Sequence, residues 1–228
     1  MDKLWYLKQC DIFHGLSKEA MEKVGAIARE KNIPKKGIVY SAQDKDDAMF
    51  ILKKGRVRIF KLSADGKMIT LAILSDGDIF GTMSAIKGGT SGAYAETLED
   101  SYICAIRQED FHEAVKEMPQ IALRLIEKIN QRLKEAESKI EDLVFRGVPG
   151  RIASILLKLA EQFGEKTSEG IQIAFKITHQ ELADMVGATR ETVTVILNDF
   201  KNDNFIKINE KHITIIDEKI LKEWAGKE

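Results

Sequence analysis

Arg190 and Glu191 stand side by side after Thr189, and Thr192 and Thr194 follow them. An arginine can donate two parallel hydrogen bonds to guanine O6 and N7, and a glutamate can accept from cytosine N4. Such chemistry needs a rigid carrier, and the stretch from Ile177 to Phe200 supplies one. Thr178 and Glu181 have the spacing of a capping box, in which each side chain bonds an otherwise unpaired backbone N–H. Leu182, Met185 and Val186 form the apolar stripe of a first short helix, Gly187 sits where it should stop, and Thr189 can cap a second. Val193, Ile196, Leu197 and Phe200 repeat at i, i+3, i+4 and i+7 and so face inward. Arg190, Glu191 and Thr194 then point outward near the helix start, where a recognition helix meets base edges. Thr178, Gln180 and Thr192 are candidate phosphate contacts. Phe205–Ile208 and His212–Ile215 flank Asn209-Glu210-Lys211, a hairpin that would make a wing, with Lys211 as a further candidate DNA contact. A small helical domain whose Arg-Glu pair is only a solvated face is the alternative reading of this spacing.

Upstream elements must position that segment. From Pro119 to Arg146, apolar residues fall at Ala122, Ile126, Ile129, Leu133, Ala136, Ile140 and Leu143, with steps alternating between four and three. This is a heptad seam kept for three repeats, narrower than the stripe of an ordinary surface helix, and it predicts a parallel homodimer. A helix packed on its own domain is the other reading. Gly147-Val148-Pro149-Gly150 should end the helix and act as a hinge, because proline disfavours helix at Val148. Between Asn32 and Ile106 the chain reads as short strands with turns at Gly37, Gly55, Asp65-Gly66 and Asp76-Gly77. Val57–Leu62 and Thr70–Leu74 flank the Asp65-Gly66 hairpin signal. Ser17 should cap a short helix from Lys18 to Glu30.

The 228 residues carry 35 Lys and Arg against 36 Asp and Glu, a formal charge of −1. Residues 148–228 alone carry 11 against 13. That balance excludes a basic tail or a cationic coat, so any DNA contact rests on placement, with weak non-specific affinity. Two cysteines exclude a disulfide scaffold and fit a reducing compartment. No apolar run approaches the roughly 20 residues of a membrane span, and the N-terminus lacks a signal pattern, so a cytoplasmic protein is expected. A metal-dependent enzyme built on these strands needs converging histidines, and residues 32–106 contain none.

The chain resembles the CRP/FNR superfamily of bacterial transcription regulators. The resemblance rests on Ile177–Phe200 with Thr189-Arg190-Glu191-Thr192-Val193, on Val148-Pro149-Gly150-Arg151-Ile152-Ala153, and on Gly55–Phe60 and Gly77–Gly81. It implies an α+β fold: an N-terminal double-stranded β-helix (jelly-roll) sensor in residues 1–118, a dimerisation helix in 119–146 and a winged helix-turn-helix in 147–228. It also implies a two-fold symmetric site on double-stranded DNA and contact with RNA polymerase. Arg190 and Glu191 match the family's principal base-contacting positions. The second arginine expected four or five residues on is absent, and Val195 stands there.

The family's cyclic-nucleotide cassette carries a Gly-Glu pair for the ribose and an Arg-Ser pair for the phosphate. The matching positions here read Gly81-Thr82 and Ser91-Gly92, and the adenine-facing pair reads Ala136-Glu137. A buried phosphate without a cationic partner is costly, which disfavours cyclic AMP. Cys10 and Cys104 are too few for an iron–sulfur cluster. Gly81-Thr82-Met83 lacks the axial ligand of the haem sensors, and His14, His112, His179 and His212 show no metal-ligand spacing. The resemblance leaves a small-molecule effector lined by Leu71, Ile73, Gly81, Thr82, Met83, Ser84, Ser91 and Gly92, with Ile129 and Leu133 from the dimer helix. A cyclic-nucleotide regulator, a haem- or thiol-based redox or gas sensor, and constitutive activity are the alternatives.

Overall fold

A computed structural model describes residues 10–43, 48–81 and 92–226. The chain divides into two compact units, Met1–Leu133 and Lys134–Glu228.

In the first unit, Ser17 Oγ accepts from the Ala20 amide at 3.2 Å and starts α1, Lys18–Ile27. The helix expected to reach Glu30 stops at Ile27, because the next residues are drawn into a sheet. The strands are β1 Arg29–Ile33, β2 Ile38–Tyr40, β3 Ala48–Lys54, β4 Val57–Leu62, β5 Met68–Leu74, β6 Ile79–Gly81, β7 Tyr94–Thr97 and β8 Ser101–Arg107. They form two four-stranded antiparallel sheets, ordered β1-β8-β3-β6 and β2-β7-β4-β5. Gly66, at φ +79°, closes the β4–β5 hairpin as its Asp-Gly signal predicts.

β3 is buried on nearly every residue because its sheet is covered on both faces. Phe50 and Leu52 meet Tyr40, Val57, Ile59 and Phe80 between the sheets, and the rings of Phe50 and Phe80 stack 5.4 Å apart. Met49 and Ile51 face a second core built with Phe13, Met21, Ile106 and Phe111. Phe111 lies on α2, Gln108–Glu117. Ile121 and Leu125, from the start of the long helix α3 (Gln120–Phe145), complete that core.

The second unit takes in the C-terminal part of α3 and then α4 Val148–Phe163, β9 Gly164–Thr167, β10 Gly170–Ile173, α5 His179–Val186, α6 Arg190–Asn202, β11 Ile206–Asn209, β12 His212–Ile215 and α7 Glu218–Ala225. The wing is larger than a single hairpin. β9 and β10 join it in a four-stranded sheet ordered β11-β12-β10-β9.

The segment expected as a hinge is different in kind. Val148 is helical, with Gly147 as N-cap and Pro149 in the first turn, where its missing N–H has no partner to lose. Side chains also bridge the segment. Asp142, on α3, accepts from Ser154 Oγ and Lys158 Nζ on α4, each at 2.9 Å, and from Arg146 Nη1. Arg151 donates to the Arg146 and Val186 carbonyls at 2.9 Å each. Gly147 holds an ordinary extended N-cap conformation at φ −64°, and an ion-pair cluster braces the segment.

Candidate nucleic-acid interface

The helix-turn-helix is set by its caps. Thr178 Oγ1 accepts from the Glu181 amide at 3.1 Å while Glu181 Oε2 accepts from the Thr178 amide at 2.7 Å, which completes the capping box and starts α5. Gly187 ends α5 at φ +65°, a left-handed conformation that glycine adopts without steric cost. Thr189 Oγ1 then accepts from the Thr192 amide at 3.2 Å and starts α6. Leu182, Val186, Val193, Leu197 and Phe200 are buried, so the two helices pack through the faces their periodicity predicts.

That packing leaves Arg190, Glu191 and Thr192 exposed on the first turn of α6, with Thr189 beside them. Val195, at the position of the absent second arginine, is 59% exposed. It offers only an apolar surface, suited to a thymine methyl. A groove of about 520 Å³ opens next to this turn, lined by Ile177, Thr178, His179, Gln180, Arg190, Ile208, Lys211 and Ile213. Lys211 reaches it from the β11–β12 turn, where Glu210 and Lys211 both hold positive φ, +46° and +72°. The structure therefore brings Thr178, Gln180, Arg190 and Lys211 to one groove, and places Glu191 and Thr192 on the adjoining open face.

Two candidate contacts are occupied internally. Thr178 Oγ1 donates to Glu181 Oε2 at 2.7 Å, so its hydroxyl hydrogen is not offered to a phosphate. Thr194 is half-buried, and its hydroxyl donates to the Arg190 carbonyl at 2.8 Å. Its oxygen also lies 2.8 Å from His179 Nδ1, which leaves Thr194 poorly placed to read a base. Gln180 is exposed and donates to Asp184 Oδ1 at 2.8 Å. His179, which the sequence shows only as one scattered histidine, is the groove residue that spacing did not single out. Burial and the neighbouring Arg190 hold its imidazole below the usual histidine pKa.

The heptad seam is bare on the single chain. Ile126, Ile129, Leu133, Ile140 and Leu143 are 40–61% exposed, with Ala136 exposed and Ala122 half-buried. The side of α3 that packs on its own unit is the other one, carrying Ile121 and Leu125. Further along that side, Lys128 Nζ lies 3.0 Å from Asp78 and Arg132 donates to the Ile79 carbonyl. Among the described residues, the core of the first unit takes Ile121 and Leu125 from α3, and the isoleucines and leucines of the seam stay exposed.

The candidate effector positions are only partly described. Thr82, Met83, Ser84 and Ser91 lie outside the described residues. Leu71 and Ile73 sit on β5 with partial exposure, and Gly92 is exposed. Gly81 has a structural reason for its type: it holds φ +119°, and a Cβ there would come 2.4 Å from the Ala48 carbonyl oxygen. Cys10 and Cys104 are buried, and burial pushes the Cys10 thiol up to about 12, keeping it protonated at neutral pH. Among the described residues, no group of His, Cys, Asp and Glu is arranged to hold a metal ion.

Comparison with known proteins matches a different family to each unit. Residues 30–118 match the cyclic nucleotide-binding domain family, and residues 150–224 match the Crp-like helix-turn-helix domain family. The chain is 31% identical over 179 residues to the global nitrogen regulator of Synechocystis sp., covering 78% of this chain and 80% of that one. It is 28% identical to a CRP-like cAMP-activated global transcriptional regulator of Mycobacterium tuberculosis, over 99% of this chain and 100% of that one. A mutant of CooA from Carboxydothermus hydrogenoformans superposes with a TM-score of 0.77 at 31% identity, covering 93% of this chain and 92% of that one.

Proposed function

The chain belongs to the CRP/FNR superfamily of transcription regulators, and from that premise we propose that it acts as an effector-modulated homodimer reading a two-fold symmetric DNA site. Members of this family bind DNA and act as dimers. Arg190 and Glu191 supply the base readout in each half-site, with Thr189, Thr192, Gln180 and Lys211 positioning the backbone. Ala122, Ile126, Ile129, Leu133, Ala136, Ile140 and Leu143 form the dimer seam. Residues 1–118 sense, 119–146 join the protomers and 147–228 bind DNA. RNA polymerase is the further partner and the cytoplasm the compartment. None of the described helices is long and apolar enough to cross a membrane.

The observation that carries this reading is the capped start of α6, which presents an exposed Arg-Glu pair beside a groove shared with the wing. The effector is a small molecule other than cyclic AMP. The M. tuberculosis relative is cAMP-activated and CooA is a CO-dependent transcription factor, so the shared fold serves more than one ligand chemistry. Here Thr82 and Ser91 replace the carboxylate and the arginine that the cyclic-nucleotide pattern requires. Effector binding favours one dimer arrangement and hence one placement of the two α6 helices.

Selection from a random-sequence duplex pool, followed by gel shift on the enriched site, tests the proposal. Each lost bidentate contact costs about 1–3 kcal/mol, and a symmetric site loses two. Arg190→Ala should therefore weaken the selected site by at least about 30-fold while leaving random duplex nearly unaffected. Unchanged discrimination would sink the assignment.

A further inference from the structure

His179 occupies the first position of α5 and faces the recognition helix rather than solvent alone. Thr194 fixes how its ring is held. A hydroxyl has a single hydrogen, and Thr194 gives that hydrogen to the Arg190 carbonyl at 2.8 Å. At its 2.8 Å contact with His179 Nδ1 the same oxygen must therefore accept, so Nδ1 carries the ring hydrogen. In the neutral ring Nε2 is then a bare lone pair. It cannot bond a phosphate oxygen, which is itself only an acceptor.

The surroundings favour an anion over a second cation. The charged side chains lining the groove are Arg190 and Lys211. Glu181, on the same helix, is committed at Oε2 to the Thr178 amide and hydroxyl, both at 2.7 Å. On the wing, Glu210 faces Lys176 at 3.5 Å. Burial disfavours the protonated ring, and Arg190, from α6, adds to that effect by repulsion. The free protein therefore keeps His179 neutral at neutral pH.

Building on the reading that this face binds DNA, we infer that His179 is a proton-linked backbone contact: pinned through Nδ1 by Thr194, it donates from Nε2 to a DNA phosphate only as the imidazolium. A phosphate arriving in the groove stabilises the charged ring, so binding DNA takes up a proton. The ring then titrates higher in the complex than in the free protein. Affinity is greatest below the free-state pKa, falls as pH rises toward the complex-state pKa, and is level beyond it.

Because a phosphate contact does not depend on sequence, the probe is a mixed-sequence duplex of about 30 base pairs at about 50 mM salt. Binding is followed by fluorescence anisotropy from about pH 5.5 to 8.5 at constant ionic strength. The wild-type protein should lose affinity by at most about tenfold per pH unit across part of that range. His179→Ala, which carries no donor, should remove this dependence and stay at the weak level, whereas His179→Arg should remove it and stay at the tight level. The His179 Cε1 proton resonance, titrated with and without duplex, should show the ring's midpoint moving up on binding. An identical pH profile in wild type and His179→Ala, or a midpoint that does not rise, overturns the inference. Failure of the wild-type protein to bind duplex, or to discriminate the selected site over Arg190→Ala, would instead overturn the DNA-binding reading itself.

Discussion

Asp142 is the residue whose replacement most directly tests how α3 is fixed to α4. It is buried and takes hydrogen bonds from Ser154, Lys158 and Arg146. Losing the Ser154 bond costs about 1 kcal/mol. The two ion pairs need a discount. Removing one partner of a buried pair costs about 3–5 kcal/mol, but an exposed pair contributes only about 0–1. The Lys158 and Arg146 side chains are 41% and 30% exposed, so water reclaims much of the charge left behind. About 1 kcal/mol for each pair is the appropriate scale, for a total of about 3 kcal/mol on Asp142→Ala. Asp142→Asn keeps an acceptor for Ser154 and loses only the charge, at about 2 kcal/mol. Urea unfolding of the second unit can be followed through Trp224, whose ring lies 5.8 Å from that of Phe200, in a Trp5→Phe background at fixed protein concentration. If Asp142→Ala unfolds within about 0.5 kcal/mol of its parent, the cluster is ornament and the brace does not exist.

Two further expectations concern the same helix. Ile140→Asp places a charge on the seam in both protomers; losing two buried isoleucines costs at least about 3 kcal/mol, so sedimentation should show a dimer dissociation constant raised by 100-fold or more. An unchanged constant would remove Ile140 from the interface. Burial and the neighbouring Lys158, opposed by Glu135, bring Lys139 down to about 8 from 10.5. The unfolded chain thus holds a proton that the folded chain releases, and stability should rise between about pH 8 and 10.5. Lys139→Met should flatten that rise and add about 1–3 kcal/mol at pH 7; unfolding curves with the same pH dependence as the parent would contradict it.

What was legible in the sequence was whatever depends on nearby residues. The seam spacing placed α3 within one residue at each end, and the Thr178–Glu181 pair, Gly187 and Thr189 located both helices of the helix-turn-helix. Local signals failed where a distant partner decides. Arg29 and Glu30 carry on a helical pattern in sequence but are taken into β1 by pairing with β8, and Gly164–Thr167 shows no strand pattern until β10 pairs with it. The glycines and proline at 147–150 read as a hinge because the braces lie on other elements: Asp142 on α3, Ser154 and Lys158 on α4. Helical phase points Thr194 outward, which is correct for its Cα. Its hydroxyl nevertheless turns back to the Arg190 carbonyl and His179, a choice of rotamer that periodicity does not carry.

The bare seam of α3 has a consequence for dosage. With that stripe as the subunit interface, the amount of DNA-competent species follows mass action, varying with the square of the free chain concentration while monomers predominate. Halving synthesis in that regime leaves about a quarter of the dimer, and doubling it gives about four times as much. A cell holding this protein near its dissociation constant would respond more than proportionally to its own expression level, before any effector is bound.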